Sequence, residues 1–409
     1  MIIADLQIHS RYARACSTQI NIENLEKWAR IKGIDLLGCA DFQHPLWNKE
    51  IKEKLTEDEN GILWTKTKFP FIWQTEISLM YSQGGKGRRI HFLIYSPNKE
   101  VSDQIIEALG KKGRLDYDGR PIFGFSAIEL VDIMNKISKD IEIIPAHCLT
   151  PWFGLFGSNS GFDSIKECFQ EKSNHIHAIE TGMSADPPML WRLGENVNLV
   201  SFSDAHSFWP WRLGRECTIF DTKLNYKEII NAIKTGDNLK ETIEVNPSYG
   251  KYHYDGHRLC NFSLSSEKTR KLNGICPVCK KHLTIGVQYR IEELAKHEDG
   301  YKPENAKPFK SLIPLSELIA AVYNYKQLSG KNVWQIYNKL TERFGSEFNV
   351  MLNVSEKDLL ELSDKKLVNL ILLNREGKLK IKPGYDGVYG QIILNEDQEI
   401  KRQKSLNEF

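Results

Sequence analysis

Two constellations in this chain have residue types and spacings suited to metal chemistry. Cys276-Pro-Val-Cys279 is a Cys-x2-Cys knuckle, and two thiolates at that spacing can grip one tetrahedral ion such as Zn²⁺. Just before it runs Tyr252-His253-Tyr-Asp-Gly-His257-Arg-Leu-Cys260. His257 stands three residues ahead of Cys260 and makes a matching half-site. His257, Cys260, Cys276 and Cys279 are therefore the expected ligands of one zinc, with His282 and His253 as rivals for the fourth place. Four protein ligands leave no position for water, so that zinc is expected to be structural. Six basic residues lie between Lys268 and Arg290 (Lys268, Arg270, Lys271, Lys280, Lys281 and Arg290) with no Asp or Glu among them. Such a surface attracts phosphates, although a basic run on its own is usually just a solvated face.

The second constellation is spread along the first half of the chain. His9, Asp41, His44, His147, Asp204 and His206 each follow a short apolar run, while Glu76 and His91 lie inside two others. A lone histidine at a strand end is as a rule structural. Eight imidazoles and carboxylates at such places are what one or more divalent metals need. Asp204-Ala-His206 is the most pointed pair, because Asp-x-His at a strand end puts both side chains on one side of the pleat.

These residues need an α/β framework to bring them together. Candidate strands are Ile2–Ile8, Asp35–Ala40, Phe71–Ile77, Arg89–Tyr95, Ile141–Ala146, His177–Glu180, Leu199–Ser203 and Cys217–Phe220, and candidate helices are Ile22–Lys32, Ser126–Lys139 and Tyr226–Lys234. Asn21 and Ser126 have the chemistry of N-caps, and Gly33 ends the first helix. The alternation over residues 1–240 predicts an α/β barrel or a doubly wound sheet. Residues 241–308 are rich in Cys, His, Lys and Gly, with a strand-like piece at Leu283–Tyr289. Residues 309–409 read as helical, with helix-spaced apolar residues at Leu315–Leu328, Val333–Phe344, Glu356–Leu362 and Lys365–Asn374, followed by a Gly-rich stretch, Lys382-Pro-Gly-Tyr-Asp-Gly-Val-Tyr-Gly390.

Composition limits the function classes. The chain has 409 residues, 41% hydrophobic and 26% charged, which excludes collagen-like, coiled-coil and fully disordered classes. With 55 Lys and Arg against 53 Asp and Glu it is not a polybasic protein. Five of the eight cysteines are scattered, as in a reduced cytosolic protein rather than a disulfide scaffold. No secretory signal or membrane span is expected, since the uncharged stretch from Ile143 to Phe162 carries Pro145, Pro151 and three glycines. The expected location is cytoplasmic, nucleoid-associated in a prokaryote.

Several segments carry a resemblance. Asp5-Leu-Gln-Ile-His9-Ser, Gly38-Cys-Ala-Asp41, Thr75-Glu76, His91, Pro145-Ala-His147 and Ser203-Asp204-Ala-His206 resemble, in order, the metal motifs of the PHP (polymerase and histidinol phosphatase) family. Longer segments are more specific: Ala40-Asp-Phe-Gln-His-Pro-Leu-Trp47, Ile144-Pro-Ala-His-Cys-Leu-Thr-Pro-Trp-Phe-Gly154, Ile179-Glu-Thr-Gly-Met-Ser-Ala-Asp-Pro187 and Ser203-Asp-Ala-His-Ser-Phe-Trp-Pro-Trp-Arg212. These resemble endonuclease Q, a PHP-type family of DNA repair nucleases, over essentially the whole chain. The resemblance implies a distorted (β/α) PHP barrel with a small zinc-binding module and a helical C-terminal domain. It implies two or three divalent metals, Zn²⁺ or Mn²⁺ with Mg²⁺ as an alternative for activity, held by His9, Glu76, His91, His147, Asp204 and His206. Glu76 would bridge two metals, and Asp41 or His44 would join the set. Asp204, Glu76 and His206 would be the catalytic residues.

The implied activity is hydrolysis of the DNA phosphodiester 5′ to uracil, hypoxanthine, xanthine or an abasic site, in double- or single-stranded DNA. Aromatic residues tethered to the metal loops (Trp152, Phe153, Trp209 and Trp211) are candidates for holding or displacing an unstacked base, and Arg212 is a candidate phosphate contact. One position departs from the family pattern. The first motif usually reads Asp-x-His-x-His, and here the first His is Gln7. Either one metal position is weakened, or another group compensates, or the change inactivates the chain. Two rivals follow: a PHP phosphoesterase of small molecules, and a non-catalytic protein that binds lesion DNA.

Overall fold

The structure is a computed structural model that describes residues 1–394; positions 395–409 of the expected C-terminal part lie outside the described residues. The first helix, α1 (Ile22–Lys32), shows how local sequence sets its ends. The Asn21 side chain accepts the Asn24 N–H at 2.7 Å, Glu23 sits in the first turn, and Gly33 closes the helix at φ 94°. Ile22, Leu25, Trp28 and Ala29 form its buried stripe at the three- and four-residue spacing of a helix. Ser126 caps Ala127–Ile137 in the same way.

Ten of the described strands position the site: β1 (Ile2–Asp5), β2 (Leu36–Gly38), β3 (Pro70–Gln83), β4 (Lys86–Ser96), β5 (Glu142–Pro145), β6 (Ala178–Glu180), β7 (Asn198–Val200), β8 (Cys217–Phe220), β9 (Leu239–Glu244) and β10 (Phe309–Ser311). The main sheet runs β10-β9-β8-β1-β2-β3, with β4 paired to β3 and β5 to β4. Pairing is parallel from β1 through β2 to β3 and antiparallel at β8–β1, β3–β4 and β4–β5. β6 and β7 form a separate parallel pair. The mixed α/β class agrees with expectation, but the ladders do not close into a barrel. Among the described residues no strand pairing joins β5 to β6, and β7 reaches β1 only through the bridge Ile8–Ala205. Past β5 the chain turns off into the site loops. There a single bond, Cys148 N–H to Glu180 O at 3.0 Å, stands where a ladder would continue.

Residues between β9 and β10 leave the sheet. They form a hairpin of Asp255–His257 with Phe262–Leu264 and the helices Ser266–Lys271 and Val287–Leu294. The boundary expected at 240/241 therefore falls inside β9. Leu283–Tyr289, expected as strand-like, instead enters the second of these helices: Val287 and Ile291, four apart, bury one helical face, and the Gly286 N–H donates to Asp255 Oδ1 at 2.6 Å. The last part is helical over Leu315–Tyr323, Lys331–Phe344, Glu347–Leu352, Glu356–Leu360 and Lys365–Arg375. The first of these stops short of Leu328 because Asn324 takes a left-handed conformation, φ 53°. No described helix is long and apolar enough to cross a membrane.

Candidate metal centre

The long β3–β4 hairpin aims two of the side chains. Ser78 pairs with His91 and Glu76 with Leu93. Directly opposed residues share a face, as do residues two apart along a strand, so Glu76 and His91 are diagonal neighbours on one face. His9 lies past the end of β1, His147 past β5, and Asp204 and His206 past β7. The backbone at these ends is unusual. His147 (φ 31°), Asp204 (φ 48°) and Ala40 (φ 63°) are left-handed without being glycine, at a cost of about 1–3 kcal/mol each. Surrounding bonds hold the turns. Asp5, fully buried, accepts the Ser203 N–H at 3.0 Å and hydroxyl at 2.5 Å and the Gly214 N–H at 2.8 Å. Glu180 accepts the His147 N–H, and the Gly182 N–H at 3.0 Å.

Two donor groups result. His9, Asp204 and His206 offer donor atoms within 4.8 Å of one another, as do Glu76, His91 and His147. The groups touch: His9 Nε2 is 3.1 Å from Asp204 Oδ1 and 3.1 Å from Glu76 Oε2, and His91 Nδ1 is 2.9 Å from Glu76 Oε1. Burial disfavours charge on every group here, and the neighbours decide the outcome. Against its burial, Asp204 is held well below the usual carboxylate range by His206 and His9. Against the same opposition, Glu76 is held well below it by Arg120 and His9. Burial and Arg120 push His91 down to about 3, so its ring is neutral with a lone pair to give. Burial pushes Glu180 up to about 8. Ionised carboxylates beside a neutral imidazole are a donor set for divalent ions, and His147 turns its Nε2 to the same place, 3.7 Å from Glu76 Oε1.

The other expected residues fall into place less evenly. Asp41 stands behind His9, with Oδ1 3.0 Å from Nδ1 and Oδ2 accepting the Ser10 N–H at 2.7 Å, and so orients the ring. His44 is not brought into either donor group. It precedes the helix Pro45–Lys54 and stacks on Tyr12 at 4.3 Å, which corrects its expected place as a ligand. His257, Cys260, Cys276 and Cys279 do converge, within 4.8 Å, while His253 and His282 stay outside that group.

The basic run is less free than its composition implies. Arg270 pairs with Glu292 at 3.0 Å, Lys271 with Glu267 at 2.7 Å, and Arg290 with Asp163 at 2.6 Å. Lys268, Lys280 and Lys281 are exposed. Phe153 packs on His91, with ring centroids 4.4 Å apart, and Trp152 lies 5.8 Å from Tyr252. Trp209 and Trp211 stack on each other at 5.3 Å and join Trp28 and Trp334, bracing the loop after His206 against α1 and the C-terminal helices. Arg212 lies 3.9 Å from Glu317 and over the Tyr389 ring. Sequence reasoning missed Arg120, whose Nη1 donates to Glu76 Oε1 at 3.0 Å. Its only signal was the turn Asp118-Gly-Arg-Pro121.

Comparison with known proteins adds to this geometry. Residues 314–378 match the family model described as the MJ0043 C-terminal domain. The uncharacterised protein MJ0043 of Methanocaldococcus jannaschii is 33% identical over 254 residues, which span 60% of this chain and 31% of that protein. The uncharacterised protein YqxK of Bacillus subtilis is 28% identical over 88% of this chain and 89% of its own length. The crystal structure of the lesion-specific endonuclease PfuEndoQ from Pyrococcus furiosus is similar with a TM-score of 0.85 and 29% identity, covering 100% of this chain and 99% of that one. Endonuclease Q in complex with a 27-mer duplex, an abasic lesion at its active site, is similar with a TM-score of 0.85 and 30% identity, covering 97% of both chains. Fold and site together define an endonuclease, a hydrolase. The chain belongs to the endonuclease Q family.

Proposed function

We propose that this chain is a metal-dependent DNA repair endonuclease that hydrolyses the phosphodiester 5′ to a lesion, the lesions being uracil, hypoxanthine, xanthine and abasic sites. The observation that carries the proposal is the pair of touching donor groups, in a chain that matches a DNA-bound endonuclease Q over 97% of its length. Residues 1–240 would form the catalytic part, an incompletely closed barrel of PHP type, with residues 241–308 as a zinc module and 309–409 as a helical brace. His9, Asp204 and His206 would hold one divalent ion and Glu76, His91 and His147 another, with Zn²⁺, Mn²⁺ or Mg²⁺ as candidates. Such ions supply an acidified water nucleophile at neutral pH and neutralise the charge that develops on phosphorus. Asp41 fixes the His9 ring from behind, and Asp5 fixes the turn that presents Asp204.

The four-residue group at Cys276 would hold a structural zinc. Exposed Lys268, Lys280 and Lys281 would meet backbone phosphates. Phe153, already against His91, is the best-placed aromatic for an unstacked base. Trp209 and Trp211 instead serve the brace.

The test is a labelled duplex with one deoxyuridine, deoxyinosine or abasic site, incubated with Mn²⁺ or Mg²⁺. A single nick 5′ to the lesion is expected, and Asp204→Asn should abolish it while lesion binding persists in a gel shift. Lesion binding without any nick by the unaltered chain, or full nicking by Asp204→Asn, overturns the assignment.

A further inference from the structure

Glu76 already has two cationic or amide donors from this chain. Gln7 Nε2 donates to Oε2 at 2.9 Å and Arg120 Nη1 donates to Oε1 at 3.0 Å. Gln7 presents its NH₂ to the carboxylate, which leaves its own Oε1 buried, unpartnered and turned away from the oxygen a bridging metal would share. An amide oxygen is also a poorer ligand than imidazole for Zn²⁺. The position served by the missing histidine is thus weak in this chain, while a fixed positive charge sits on the other oxygen of the same carboxylate.

The loop carrying that charge is tied down tightly. The Gly119 N–H donates to Tyr12 O at 3.0 Å, and Gln43 Nε2 donates to Gly119 O at 2.5 Å. Asp118 Oδ1 accepts the Arg120 N–H at 2.9 Å. A Cβ on Gly119 would lie 2.3 Å from Asp41 Oδ2, so only glycine lets this loop rest directly on the centre. Arg120 stays partly open, its side chain 22% exposed against 0% for Glu76. A guanidinium carries five donors. Among the described residues the only side-chain hydrogen bond of Arg120 is the one to Glu76, which leaves a free edge.

We propose that Arg120 replaces one ion of the centre: this chain takes one divalent ion on each of its two donor groups, and the free edge of Arg120 contacts the scissile phosphate and shares its developing charge. The proposal rests on the endonuclease assignment above and adds a catalytic residue to it.

Elemental analysis of the purified, dialysed full chain, together with single-turnover nicking of an abasic-site duplex, tests it. The unaltered chain should carry three ions, one for each of the three donor groups, the cysteine group included. Arg120→Gln should keep that count but nick about 10²–10³-fold more slowly at saturating enzyme, the usual loss when one transition-state charge donor goes. Arg120→Lys should recover part of the rate. Gln7→His with Arg120→Gln should take up one further ion and regain activity. A fourth ion in the unaltered chain, loss of an ion in Arg120→Gln, nicking by Arg120→Gln at the unaltered rate, or no added ion in the double variant each overturns the proposal. Asp204→Asn separates the two levels. If it is inactive while Arg120→Gln cuts normally, only the role of Arg120 falls. If both cut normally, the endonuclease site itself is misplaced.

Discussion

Lys32, in the last turn of α1, is 1% exposed. Its Nζ lies 2.7 Å from Glu347 Oε1 and 2.7 Å from Pro210 O. Glu347 also accepts the Leu315 N–H at 3.0 Å and the Tyr337 hydroxyl at 2.7 Å. Three parts of the molecule meet at this ion pair: the α/β framework, the loop after His206, and the C-terminal helices. Lys32→Met keeps the apolar stem and removes the charge, so Glu347 is left buried without its cation. Breaking one side of such a pair costs about 3–5 kcal/mol. At about 2.1 cal/mol/K per residue, a chain of 409 residues has an unfolding entropy of about 0.9 kcal/mol/K, so the thermal midpoint should drop by about 3–6 °C. Lys32→Met with Glu347→Gln should recover more than half of that, because the orphaned charge is gone. Circular dichroism gives the midpoint, and tryptophan fluorescence reports the junction itself, where Trp28, Trp209, Trp211 and Trp334 cluster. A drop below about 1 °C in the single variant, or no recovery in the double, would refute the reasoning that the pair is fully desolvated and coupled.

Two further outcomes are expected. Cys276→Ser should lose one zinc per chain by elemental analysis, since three thiolates and His257 converge there; an unchanged zinc content rules the knuckle out as the site. Glu244, fully buried, is raised by that burial to about 7, with hydroxyls of Thr181 and Ser201 each donating to Oε2 at 2.9 Å. Its folded pKa lies above the unfolded value near 4.5, so the folded form binds the proton more tightly and stability declines as pH rises from about 4.5 through about 7. Glu244→Gln keeps the hydroxyl bonds and removes this decline. The variant should gain on the unaltered chain between pH 5 and pH 8, by on the order of 3 kcal/mol, in denaturant midpoints taken at both pH values. A gap independent of pH would show that Glu244 is not the titrating group.

The parts of the molecule set by local chemistry were legible in the sequence. Helix α1 has the expected bounds because cap, stripe and terminating glycine all lie within it, and Cys217–Phe220 is a strand over its full expected length. The convergence of His9, Glu76, His91, His147, Asp204 and His206 was legible only as strand-end chemistry and as resemblance. Contacts across 195 residues, such as His9 to Asp204, leave no periodicity to read. His44 was misplaced because proximity to Asp41 along the chain does not say which side of a turn each side chain takes, and Pro45 turned it into a helix cap. Leu283–Tyr289 was misassigned because a short apolar run fits strand and helix alike. Barrel closure was not legible at all, because it depends on whether β5 and β6 exchange backbone bonds. The basic run was legible as composition, but its neutralisation was not, since Asp163 comes from another part of the fold.

The bridge Ile8–Ala205 and the pairing of β1 with β8 have a consequence for the newly made protein. During synthesis β1 can pair with β2 as soon as Leu36–Gly38 has been added, yet its other neighbour, β8, follows only from residue 217. His9 and Asp204, 3.1 Å apart in the finished molecule, belong to opposite ends of that interval. A nascent or truncated chain that stops before Asp204 has Glu76, His91 and His147 but only His9 of the other donor group. The two donor groups therefore come to face each other only once synthesis has passed His206 and the chain has folded back on its first strand.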